Sequence, residues 1–246
     1  MTIKKTNVLS GGHLIGNIAW NLFGTAAPLL VAIFAIPILI EDLGIARFGV
    51  LTIAWMVVGY FSFFDLGLGR ALTKLVAEKL GQRQSDDSPL LIWTAISMMA
   101  VLGLLGAIVV AALSPWLVSN VLKIPVELQL ETLKVFYLLA LSIPIVIITT
   151  GLRGVLEAHQ RFGLVNAVRI PLGILTFLGP VVVLPFSKNL VAVVGMLVFV
   201  RLASLIAYAV LCLYVEPALR RSVSFDRGMV RPLINFGGWM TVSNIV

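Results

Sequence analysis

LVAVVGMLVFVRLASLIAYAVLCLYV, residues 190–215, holds one charge, Arg201, in 26 residues. A helix needs about 20 mostly apolar residues to cross a bilayer. A core helix of a soluble protein would show a polar face, and this run has none. Glu216-Pro217 closes it. Working outward, the same kind of run recurs. Before it lie apolar runs over residues 14–40, 48–68, 90–113, 133–152 and 164–186. Their breaks are Glu41-Asp42-Leu43-Gly44, Ser88-Pro89 and Ser114-Pro115, with short polar loops elsewhere. A seventh run starts at Pro232 and is still apolar at Val246. Its fifteen residues give about 22 Å of helix, short of the roughly 30 Å hydrocarbon core. The expectation is six spans plus a truncated seventh, in a chain that continues beyond Val246.

Composition agrees. Of 246 residues, 60% are hydrophobic and 12% charged, and mean hydropathy is +1.07. Soluble domains carry about 25% charged residues. Too few charges are present to cover a water-facing surface. The fold class is therefore all-α, a polytopic integral membrane protein. The first run continues past Ala27 without a polar break, so it reads as a retained span and not as a leader.

The net charge of +7 has an explanation in topology. With the N-terminus in the cytoplasm, thirteen of the eighteen Lys and Arg fall inside, from Lys4 and Lys5 through Arg70, Arg153 and Arg169 to Arg231. Arg47, Lys123, Lys134 and Lys188 fall outside, and Arg201 lies in a span. Cytoplasmic loops collect positive charge, and these loops are short enough for the rule to hold. A nucleic-acid partner is not expected. The one cysteine, Cys212, forms no intrachain disulfide.

The seventh run echoes the first. Leu14, Ile15 and Trp20 match Leu233, Ile234 and Trp239 at an offset of 219 residues. An even number of spans per unit makes this a parallel repeat, a plan found among secondary transporters. It divides the chain into a six-helix lobe over 1–215, a basic cytoplasmic linker over 216–231, and the start of a second lobe over 232–246.

Three segments carry a resemblance. They are Arg47-Phe48-Gly49-Val50-Leu51, Asp65-Leu66-Gly67-Leu68-Gly69, and Gly151 to Gly163, which reads GLRGVLEAHQRFG. Together they resemble the Wzx-type polysaccharide and O-antigen flippases. That polysaccharide transporter family lies in the multidrug/oligosaccharidyl-lipid/polysaccharide exporter superfamily. The resemblance implies one lobe of a two-lobe transporter with a central cavity and alternating access. It also implies residence in the bacterial inner membrane and a sugar substrate linked to undecaprenyl diphosphate, with membrane lipids and the polysaccharide assembly machinery as partners.

Arg201 is the first candidate for substrate binding. An arginine at mid-span costs about 2.5–3.5 kcal/mol on insertion scales, so it should face a cavity or a partner. A guanidinium suits a diphosphate in a bidentate geometry. Arg153 and Arg169 flank the fourth-to-fifth loop and are candidates for a basic vestibule. Asp65 reads as the cytoplasmic end of the second span, where a carboxylate opposes the helix dipole. Arg70 is its expected partner, making the two a candidate coupling-ion site or structural pair. Pro28, Pro37, Pro144, Pro171, Pro180 and Pro185 are expected to kink spans, with Gly24, Gly59, Gly103, Gly106, Gly173 and Gly195 as close-packing points. The first span, with two prolines, is the expected gate helix.

No Walker A, dinucleotide loop, zinc motif or nucleophile elbow occurs. His13 and His159 stand apart from any ligand pattern. No catalytic residue, metal or cofactor is expected. Two other readings remain open. One is a multidrug or small-solute exporter, which would favour acids over Arg201 in its cavity. The other is a membrane enzyme of glycan assembly, which would need a larger outer loop.

Overall fold

A computed structural model describes residues 11–61, 65–82, 88–122, 124–220 and 224–242, with side chains from Ala26 to Trp239 apart from Phe61. Lys4, Lys5, Arg83, Lys123 and Arg221 lie outside the described residues, and the side chains of His13, Leu14, Ile15 and Trp20 are not described. The helices are α1 (Gly11–Leu43), α2 (Ile45–Phe61), α3 (Leu68–Gly81), α4 (Ser88–Trp116), α5 (Val126–Ala158), α6 (Phe162–Val183), α7 (Leu190–Val215) and α8 (Arg227–Val242). No strand occurs among the described residues. In hydrocarbon every backbone donor must be satisfied within its own segment, so these runs become helices. α1, α4, α5, α6 and α7 are long and apolar enough to cross a membrane, and α2 is a shorter apolar helix.

α5 is the most buried of the long helices and forms the axis of the bundle. It packs against α2, α3, α4, α6 and α7. α6 lies against α7, and α1 lies outside α6. α4 turns Val101, Leu104, Leu105, Ile108 and Val109 outward. α5 and α7 run parallel. Near their starts the Leu190 amide donates to Glu131 Oε1 at 2.6 Å. Near their ends the Cys212 thiol donates to the Leu152 carbonyl at 3.2 Å.

Two prolines within helices nest against glycines. A Cβ on Gly103 of α4 would stand 2.6 Å from Pro144 Cα of α5. A Cβ on Gly173 of α6 would stand 2.7 Å from Pro28 Cγ of α1. Small residues let helix backbones approach where lipid gives no hydrophobic drive for association. Gly59 and Gly195 instead have open space where a Cβ would point. Pro185 lies in the turn after α6 and kinks no helix.

The second expected span, 48–68, is not one helix. α2 has 17 residues, about 25 Å, and α3 begins only at Leu68. Between them Leu66 (φ 50°) and Gly67 (φ 72°) take left-handed backbone, which a helix does not accommodate. This also reverses the reading of Asp65. Its carboxylate stands before the N-terminus of α3, where the dipole favours it. Oδ1 accepts from the Gly67 amide at 2.9 Å, and Oδ2 accepts from the Gly69 amide at 3.0 Å and the Thr150 hydroxyl at 3.4 Å. Asp65 is buried, Arg70 is exposed, and no ion pair joins them among the described residues.

The Ser114-Pro115 stop expected after the third span is also overridden. The helix continues to Trp116 and closes with a π-turn over Leu117–Val121. Membrane helices tolerate proline, and the Ser114 hydroxyl is itself satisfied by the Val110 carbonyl at 2.6 Å. The final helix starts at Arg227, so Pro232 sits inside it.

Replacing Gly103 by Val should force α4 off Pro144 and lower stability by about 1–3 kcal/mol. Gly195→Ala should leave it unchanged. Thermal unfolding of the purified protein compares the two, and equal melting of both variants would refute the packing account. Asp65→Ala should cost about 0.5–2 kcal/mol as a lost helix cap. In the same assay Asp65→Asn should recover part of that loss, and a wild-type melting temperature for Asp65→Ala would show the carboxylate not to hold α3.

Candidate functional site

The two ends of the bundle differ in charge. At the end where α1 finishes and α7 begins, ion pairs balance the charges. Arg47 Nε lies 3.1 Å from Glu131 Oε2, and Lys188 Nζ lies 2.7 Å from Asp42 Oδ1. Asn189 caps α7 by accepting from the Val191 amide at 2.8 Å. The opposite end gathers Arg70, Lys74, Lys79, Arg153, Arg161, Arg169, Arg220, Arg227 and Arg231 from α3, α5, α6, the turn after α7, and α8.

At that basic end α5 and α6 are joined by a short turn over His159–Arg161. His159 Nδ1 faces the Val155 carbonyl at 2.9 Å, and Nε2 faces Glu216 Oε2 at 3.2 Å. The pair ties the end of α5 to the end of α7. Trp93 Nε1 donates to the Leu219 carbonyl at 3.2 Å and brings α4 to the same place. Arg153, on α5, pairs with Glu157 at 3.3 Å and keeps an exposed face. Arg169 is exposed on α6. The Tyr208 hydroxyl of α7 donates to the Val165 carbonyl of α6 at 3.1 Å and joins these two helices near the same end. No hydrogen bond or ion pair joins Arg153 to Arg169 among the described residues.

Arg201 stands two turns deeper on α7, about 10 Å along the axis from Tyr208. Met196 packs over Gly179 of α6 on one side of it, and Tyr208 meets Val165 on the other. Arg201 therefore sits at the depth of mid-α6, in the layer where Gly173 meets Pro28. Its side chain is half-buried. Its carbonyl accepts from the Ser204 hydroxyl at 2.7 Å. Its guanidinium has no hydrogen bond or ion pair among the described residues. A cation at this depth without an acid beside it is available to an incoming anion.

The structure thus places Arg153 and Arg169, both exposed, at the basic end and Arg201 deeper, toward the middle of the bundle. It places Asp65 and Arg70 elsewhere, at the start of α3. Glu131 and the His159–Glu216 contact escaped the sequence reading. Glu131 lies just outside the fourth apolar run, and its partners Arg47 and Leu190 are 84 and 59 positions away. No spacing in the sequence signals contacts of that range. Among the described residues no group of His, Cys, Asp and Glu is arranged to hold a metal.

Comparison with known proteins fits this geometry. A putative O-antigen transporter of Shigella flexneri is 34% identical over 235 residues, which is 95% of this chain and 54% of that protein. The chain spans about half the length of the curated relative it matches. Two solved transporters share the fold. A transporter of the multidrug/oligosaccharidyl-lipid/polysaccharide (MOP) superfamily from Pyrococcus furiosus superposes with a TM-score of 0.67 at 14% identity, covering 91% of this chain and 50% of that one. A MATE protein crystallised with Br-NRF superposes at 0.64 with 16% identity, covering 91% and 52%. Both likenesses match the expected architecture, an all-α membrane unit equal to about half of a transporter. Residues 14–246 match the polysaccharide biosynthesis protein family, and the chain belongs to it.

Proposed function

We propose that this chain forms the N-terminal lobe of a transporter that moves a lipid-linked oligosaccharide across the inner membrane by alternating access. The observation that carries the reading is Arg201, a cation at mid-bundle depth whose guanidinium has no acid beside it among the described residues. A structural arginine in lipid would be expected to hold a partner. Arg153 and Arg169 stand at the basic end, where an anionic head would meet them before it reaches Arg201. An undecaprenyl diphosphate carrier fits this arrangement, because a guanidinium binds phosphate through paired charge-assisted hydrogen bonds. The polyprenyl chain stays in lipid while the sugar head passes through the cavity. The energy comes from an ion gradient or from consumption of the delivered substrate, not from ATP. The relative's name as an O-antigen transporter supports transport over catalysis.

The basic end faces the cytoplasm, and the N-terminus lies on that side. The excess of Lys and Arg at one end supports this orientation.

In the full-length protein, Arg201→Ala should reduce translocation of the lipid-linked sugar by about tenfold or more, the effect of losing charge-assisted hydrogen bonds. Arg201→Lys should retain part of the activity, with membrane levels of each variant equal by immunoblot. Undiminished translocation by Arg201→Ala would remove the proposed role of this residue. For orientation, Gln160→Cys and Asn189→Cys are introduced separately into a Cys212→Ala background. A membrane-impermeant maleimide applied to intact cells should label position 189 and reach position 160 only after permeabilisation. The opposite pattern would invert the topology.

A further inference from the structure

A second feature at the basic end lies away from Arg201. A cavity of about 910 Å³ opens between α3, α4 and α8. Its volume falls in the range of small-molecule sites. Its lining is almost entirely apolar, with Met98, Val101, Leu102 and Leu105 of α4 facing Val230 and Ile234 of α8. It is open on its outer side, since Val101 and Leu105 are 59% and 56% exposed and Ile234 is 53% exposed.

The walls are held in place. Lys74 of α3 lies 3.9 Å over the Phe236 ring of α8. A Cβ on Gly237 would stand 2.9 Å from the Leu66 carbonyl, so α8 touches the turn before α3. The Asp226 amide donates to the Thr94 hydroxyl of α4 at 3.1 Å.

Charge is graded along the groove. Arg227, Val230, Arg231, Ile234 and Gly238 follow the i, i+3, i+4, i+7 spacing of one helix face. Three of these line the cavity. Both arginines are exposed and lie on the same face of α8, toward its N-terminus. Asp226 is the nearby acid, but its Oδ1 accepts from the Gly228 amide at 2.8 Å and is turned back on its own helix. The result is an apolar slot, open sideways, with two cations on the helix face that lines it.

We propose that this groove is a binding site for an anionic phospholipid of the adjoining leaflet. One acyl chain lies along α4 between Met98 and Leu105, and the phosphate meets Arg227 and Arg231. The sideways opening lets the chain enter from the bilayer. Basic side chains at the membrane surface favour anionic headgroups. The site is independent of the transport reading and stands if no sugar is carried.

The test uses the purified full-length protein and two probes, dioleoyl phosphatidylglycerol and dioleoyl phosphatidylcholine, supplied at equal concentration and read by native mass spectrometry. The phosphatidylglycerol adduct should dominate on the order of tenfold. Arg227→Ala with Arg231→Ala should abolish that preference. Val101→Trp, which fills the slot, should remove the adduct, and Ile108→Trp, farther along the same outer face of α4, should leave it. A second measurement does not depend on those variants folding. Ile234→Cys in a Cys212→Ala background is labelled by a lipid-soluble maleimide in vesicles of either lipid, and labelling should be slower in phosphatidylglycerol. Equal adducts with both lipids would overturn the proposal. So would a preference that survives loss of both arginines, or a Cys at 234 that no lipid-soluble reagent reaches because protein covers it.

Discussion

In lipid the burial of apolar side chains does little to bring helices together, because the tails around them are as apolar as leucine. The bundle therefore depends on close packing against α5. Gly103 gives α4 a seat on Pro144. Gly151 and Gly154 of α5 leave room for Met99 of α4 and Thr73 of α3, whose atoms stand 2.5 Å from where a Cβ would be. Cys212 and Glu131 then tie α7 alongside. Losing one of these contacts loosens the helix that α2, α3, α4, α6 and α7 all touch.

That scaffold also sets the depth of charge. With α5 and α7 parallel, Arg153 and Tyr208 both lie toward the basic end, and Arg201 falls two turns deeper than Tyr208. The same packing brings His159 to Glu216 and Trp93 to Leu219, closing the ends of α4, α5 and α7 together. The basic end has two distinct features as a result. Arg153 and Arg169 stand exposed at this end with Arg201 deeper on α7. The slot between α4 and α8 opens sideways. The proposed transport uses the first, and the proposed phospholipid site uses the second.

Much of this was legible in the chain itself. The run over 190–215 became α7 with the same limits, because an uninterrupted apolar stretch in lipid has only the helix open to it. Averaged hydropathy misled at 48–68. Leu66 and Leu68 are apolar, yet the backbone turns left-handed at Leu66 and Gly67, and side-chain polarity carries no record of φ. Ser114-Pro115 misled in the other direction, since a membrane helix tolerates proline and this one runs on to Trp116.

The sequence alone determined the membrane class, the uneven charge at the two ends and the presence of an arginine deep in a span. Those are local properties, set by which residues follow one another. Only the tertiary structure decided what each charge faces. It showed Asp65 serving the start of α3 and not opposing the end of α2, because a turn of three residues reversed which helix end it meets. It left Arg201 without a described acid. It formed the slot at Arg227 and Arg231 by docking α8 across α3 and α4. Contacts between residues 57 to 132 positions apart arise from helix packing, and no spacing along the chain encodes them.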